Sequence, residues 1–146
     1  MTSVNGAASM ADDVVLNKAA TIERCLARVR DEYDGDGREL AVDQRRQDAL
    51  VLNLLRACET AIDLAMHAVR VRALGAPQSS RDAFALLVDA GLLERELGDA
   101  LERMVGFRNI AVHRYQDLDV DVLHGIVRHR LSDIEAFAAA LVRELS

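Results

Sequence analysis

The chain is short of the residues that build base-stacking surfaces and rigid sheet cores. It has no tryptophan, two tyrosines and three phenylalanines, so platforms for exposed bases are scarce, and leucine, valine and alanine must fill the interior as they do in helix bundles. One proline and the lack of β-rich runs argue against a sandwich or barrel. Cys25 and Cys58 each fall among apolar positions of a helical pattern, which excludes a disulfide framework and makes both small buried hydrophobes. No segment approaches the ~20 uninterrupted apolar residues of a membrane span. Residues 1–12 lack the basic start and apolar stretch of a secretion signal, so a cytoplasmic location is expected. Basic charge is also in deficit: the formal charge of −6 excludes a broad basic surface for long nucleic acid, although a local basic pocket remains compatible with it.

At 146 residues the chain fits a single domain over 1–146, with residues 1–12 expected to be a flexible N-terminus. Arginine outnumbers lysine 17 to 1. That bias reads either as a preference for phosphate-binding forks or as the base composition of the genome.

The apolar residues repeat at helical spacing throughout. Val15, Ala19, Ile22, Leu26, Val29 and Tyr33 recur at steps of three and four, and the glycines of the stretch 34–37 end that helix. A longer helix is expected over about 43–73, with Val51, Leu55, Cys58, Ile62, Ala65 and Val69 inward and Gly75 to Pro77 closing it. A short helix over 81–90 enters through Ser79 or Ser80 and stops at Gly91. The next, over about 92–112, turns Leu93, Leu97, Ala100, Leu101 and Met104 inward. Gly98 and Gly106 either weaken it or admit a close neighbour. A final helix follows Asp117 and Asp119, which suit a positive helix start, and carries Leu123, Val127, Leu131, Ile134, Ala138 and Leu141. The expected fold is all-α, an up-and-down bundle of four main helices plus one short one.

Arg108, Asn109, His113 and Tyr115 stand close together, placing a guanidinium that can hold phosphate beside an imidazole that can exchange protons near neutral pH and a phenol that can be modified. Spacing alone is a weak signal, since a lone Arg-x4-His is also what a salt-bridged arginine and an exposed histidine look like. On a straight helix Arg108 falls within the arc of Leu97, Leu101 and Met104, whereas His113 points about 140° away. Either the helix ends before His113 or two protomers combine their residues. Asn109 lies one turn before His113, where its amide can orient the ring. Glu59, Asp63, His67 and Arg70 form a polar stripe on the second helix, which reads as cleft lining or as a solvated face. His124 and His129 lack partners at metal-ligand spacing and read as surface residues. No metal site and no cofactor is expected.

The string Met104 to Asn109, followed by His113 and Tyr115, resembles the Arg-x4-His-x-Tyr signature of HepT-like toxins in the HEPN superfamily. The stretch 59–67 with Glu59, Asp63 and His67 resembles that family's long second helix. Gly75 to Pro77, Ala83-Phe84 and Asp89 to Gly91 resemble its short middle segment. Only the first dozen residues and the junction 34–38 fall outside the likeness. The resemblance implies a small, helical, homodimeric, metal-independent endoribonuclease, the toxin of a type VII-like toxin–antitoxin module. Its antitoxin is a minimal nucleotidyltransferase that adenylylates the matching tyrosine, here Tyr115. Arg108 and His113 are then the catalytic pair, Asn109 supports them, Glu59, Asp63 and His67 line the cleft, and RNA is the substrate. The alternative is a HEPN module that binds a nucleotide or a protein and cuts nothing. A third class is a purely structural helical dimer.

Overall fold

The computed structural model describes residues 2–33, 35 and 37–145, with side chains from residue 13 onward. Its helices are α1 (Thr2–Glu32), α2 (Arg38–Val42), α3 (Gln44–Val71), α4 (Ser80–Asp89), α5 (Arg95–His113), α6 (Val120–His129) and α7 (Leu131–Leu145), with a single 3-10 turn at Tyr115–Asp117 between α5 and α6. Helices α1, α3, α5 and α7 pack in a ring of neighbours, and α4 lies across α3 and α5. The expected all-α bundle is there, with α4 as its short helix, but α2 is added to it and the expected final helix is divided into α6 and α7. Residues 2–12, expected to be a flexible N-terminus, lie within α1, and their side chains are outside the described residues.

The long helix α3 is the axis of the molecule, because it packs against α1, α2, α4, α5 and α7. It is therefore buried on more than the one face its apolar period suggests: Leu50, Leu54, Ala57, Ala61, Leu64 and Ala68 join Val51, Cys58, Ile62, Ala65 and Val69 in the core. Its alanines let neighbouring backbones approach closely. Phe84 and Phe137 are fully buried and meet edge to face at 5.3 Å, joining α4 to α7 in the geometry that aromatic quadrupoles favour.

Local signals set the ends. Asp43 caps α3 by accepting from the Arg45 and Arg46 amides at 3.0 and 3.2 Å, and Ser79 Oγ accepts from the Asp82 amide at 3.2 Å while Asp82 accepts from the Gln78 amide at 2.9 Å. The α4 cap is thus Ser79, which leaves the Ser80 hydroxyl for another use. After α1, Gly35 and Gly37 both take left-handed conformations, at φ 56° and 82°. A side chain at Gly37 would also strike Tyr33 and His124.

Two boundaries differ from expectation. Helix α3 closes on Ala73, at φ 52°, where the Leu74 amide donates to the Val69 carbonyl at 2.9 Å, so the chain has already left the helix before Gly75. The final helix is broken at Arg130 without glycine or proline. Tertiary contacts account for the break: α6 carries His124 to the Tyr33 hydroxyl, 2.7 Å from Nδ1, whereas α7 packs on α1, α3 and α5. His124 is accordingly half-buried and bonded rather than a plain surface residue, while His129 is exposed as expected.

Candidate active site on the fifth helix

Helix α5 is pressed against α4 over its first turns. A Cβ at Gly98 would lie 2.3 Å from Val88 Cγ2, so glycine here serves close approach. One turn further along, Arg81 Nε donates to the Glu102 carbonyl at 3.3 Å. Leu101, Met104 and Val105 carry the buried face forward, and Arg108 is the next residue in that arc. Its side chain is only 21% exposed.

A guanidinium in that position needs partners, and the fold supplies two. Arg108 Nη1 donates to Glu59 Oε1 of α3 at 3.2 Å and Nη2 donates to Ser80 Oγ of α4 at 2.9 Å. The Nε atom is buried without a partner. Three helices thus aim one cation, and charge-assisted bonds hold it in one orientation. Cys58, the residue before Glu59, is fully buried, and burial, with Glu59 adding to it, pushes its thiol up to about 12. It remains a neutral packing residue.

His113 is the last residue of α5 and is exposed. It makes no hydrogen bond or ion pair among the described residues, and no bond joins it to Asn109, which is exposed one turn earlier. The helix therefore does not end before His113, and the imidazole and the guanidinium leave α5 in different directions. Of the polar stripe on α3, Glu59 alone reaches the guanidinium. Asp63 is exposed and His67 half-buried on the turns that follow.

Beyond His113 the chain turns back over α3. Tyr115 Oη donates to Asp48 Oδ1, and the same oxygen accepts from Gln44 Nε2 at 2.9 Å. Val51, Leu52, Leu55 and Ala111 line the groove of about 380 Å³ between these two residues. Burial against this groove, then the hydrogen bond and charge of Asp48, raise the Tyr115 phenol to about 12, although the residue is 39% exposed. The same bond, followed by that from Gln44, holds Asp48 below the ordinary carboxylate value. Asp119 caps α6 by accepting from the Asp121 amide at 2.8 Å, as its place at a helix start suggested. Asp117 pairs loosely with Arg114 at 3.9 Å.

Sequence reasoning found Arg108, His113, Tyr115 and Glu59 but missed Ser80 and Asp48. Ser80 was hidden by its position beside a helix cap. Asp48 belongs to the stripe of Glu59, eleven residues earlier on the same face, and that register was the available signal. Among the described residues no three His, Cys, Asp or Glu side chains gather at a metal site, and no helix is long and apolar enough to cross a membrane.

A small helical bundle that aims a clamped arginine and an exposed histidine from one helix has the architecture of the HEPN superfamily. The family model described as "Ribonuclease HepT-like" matches residues 22–141, and the chain belongs to that family. It is 47% identical over 133 residues to the mRNA nuclease HepT of Shewanella oneidensis, covering 91% of this chain and 99% of that one. Among solved structures, the tri-AMPylated Shewanella oneidensis HEPN toxin in complex with MNT antitoxin is 48% identical with a TM-score of 0.83, over 88% of this chain and 96% of that one. A toxin–antitoxin crystal structure with AMP-PNP gives a TM-score of 0.83 at 47% identity over the same shares. YutE, a cytosolic protein of Bacillus subtilis, shares the fold at a TM-score of 0.76 and 19% identity, over 90% of this chain and 87% of that one.

Proposed function

We propose that this ribonuclease is a toxin that cuts RNA without a metal ion, at a site shared by two copies of the chain, and that a nucleotidyltransferase antitoxin silences it by transferring AMP to Tyr115. The observation that carries the reading is the clamped Arg108 and the exposed His113 on one helix, facing different ways. A second copy supplies the histidine that one copy's arginine lacks. Leu52 and Val112, each about half exposed at 47% and 49%, offer apolar surface near the groove for such a contact.

In this mechanism one His113 takes the proton of the ribose 2′-hydroxyl as that oxygen attacks the phosphorus. The departing 5′-oxygen takes up its proton from solvent water, so each site needs one Arg108 and one His113. The products are a 2′,3′-cyclic phosphate and a free 5′-hydroxyl. Arg108 neutralises the charge that builds on the pentacoordinate phosphorus, an aimed electrostatic contribution that costs little reorganisation because Glu59 and Ser80 already hold the guanidinium. Asn109 lies one turn from His113, and Asp63 and His67 extend the polar edge of the cleft. Tyr115 stands two residues beyond His113, so AMP on its hydroxyl sets an anion and a nucleoside in the path of an RNA phosphate. Both the charge and the bulk oppose substrate. A cytoplasmic location fits an RNA target.

The test is cleavage of RNA by the chain purified free of its antitoxin, in the presence of a chelator. Wild type is expected to cut, and His113→Ala to lose at least about a hundredfold in rate with unchanged helix content by circular dichroism. Full activity in that variant would overturn the assignment, as would activity that vanishes in chelator and returns with a divalent ion.

A further inference from the structure

We propose that Asp48 is the proton acceptor for the adenylylation of Tyr115, an inference that rests on Tyr115 being the residue modified. The hydroxyl that must attack is already held: Tyr115 Oη donates to Asp48 Oδ1, across from the second turn of α3. Gln44 Nε2 donates to that same oxygen at 2.9 Å and so fixes the carboxylate's orientation. The second oxygen, Oδ2, has no partner among the described residues. Every other residue lining this groove, Val51, Leu52, Leu55 and Ala111, is apolar, so Asp48 is the one base in contact with the hydroxyl. Both Asp48 and Tyr115 are exposed, as a site served by a second enzyme requires.

Tyr115 Oη attacks the α-phosphorus of a nucleoside triphosphate, the bond from that phosphorus to the bridging oxygen breaks, and pyrophosphate departs. The phenolic proton passes to Asp48. A free phenolate is scarce at neutral pH for any tyrosine, and burial and Asp48 together hold the proton on this ring more firmly still. A carboxylate is far too weak a base to remove that proton beforehand, but the oxygen becomes strongly acidic as its bond to phosphorus forms. A late acceptor at hydrogen-bond distance is therefore what the step requires, the same role a carboxylate plays toward the hydroxyl that a kinase phosphorylates. His113, two residues away, makes no bond to Tyr115, and the test separates the two bases.

The experiment follows AMP transfer from ATP to the full chain by its nucleotidyltransferase antitoxin, using intact mass with the modified residue mapped. Wild type, Asp48→Asn, Asp48→Glu and His113→Ala are compared, and RNA cleavage by the two Asp48 variants serves as the check on folding. Asparagine keeps an oxygen facing the hydroxyl but cannot take its proton. Asp48→Asn is expected to slow the maximal transfer rate at least about a hundredfold, with the KM for ATP unchanged and RNA cleavage retained, while Asp48→Glu recovers part of the rate and His113→Ala is modified normally. Transfer to Asp48→Asn at the wild-type rate, or loss of transfer in His113→Ala alone, overturns the role of Asp48 and leaves the Tyr115 reading intact. Wild type that gains AMP elsewhere, or none at all, overturns both.

Discussion

Arg108 shows how little of a residue's role lies in the energy of its ion pair. Its partner Glu59 is 44% exposed, and a pair with so much access to water contributes about 0–1 kcal/mol to stability. Its contribution is aim: with Nη1 on Glu59 and Nη2 on Ser80, the guanidinium has one orientation before substrate arrives. Glu59→Ala should therefore leave the urea midpoint nearly unchanged and lower RNA cleavage by roughly tenfold, about 1.4 kcal/mol in the barrier. Unaltered cleavage would mean that Arg108 needs no support from α3. At this scale the sequence made the reacting groups legible, because Arg108, His113 and Tyr115 share one short stretch. Ser80 and Asp48 were not legible, since each meets its partner only through the packing of α4 and α3 against α5. An amide of Asn109 bonded to His113 was the expected support, yet the supports the structure shows belong to Arg108 and Tyr115.

Helices α3 and α4 stop in the same way, with a residue in the left-handed region and an amide bond back across the last turn, Leu74 to Val69 and Leu92 to Leu87, both at 2.9 Å. The left-handed residue is Gly91 after α4, at φ 78°, but Ala73 after α3, at φ 52°. An alanine pays a steric cost there that glycine avoids, partly offset by the greater freedom glycine has when unfolded. Ala73→Gly should raise the unfolding free energy by about 0.5–1 kcal/mol and Gly91→Ala should lower it by a similar amount. The second change is a clean comparison, because a side chain at Gly91 would meet nothing within 4 Å. Urea titrations read both, and a stabilised Gly91→Ala would refute this account of the helix ends. Periodicity was enough to place the long helices. It missed the inner face of α3, because a helix with neighbours all round keeps no single stripe, and it missed the break at Arg130, because the pull on α6 comes from Tyr33 in a distant part of the chain.

For the molecule as a whole, the bundle places Arg108 in the angle between α3, α4 and α5 and leaves His113 on the outside of the last turn. No rotation of a side chain turns that into a two-residue site within one straight helix, since the two positions diverge by about 140°. In the proposed shared site a second copy completes the chemistry, Arg108 from one and His113 from the other. The most direct measurement unfolds Arg108→Ala and His113→Ala chains together, refolds them as a mixture and follows RNA cleavage. Each variant alone should be inactive. If protomers pair at random, half of the dimers are mixed and one of the two sites in each is whole, so the mixture should recover about one quarter of wild-type activity. A mixture that stays inactive, although mass measurement shows that mixed dimers have formed, would contradict the shared site.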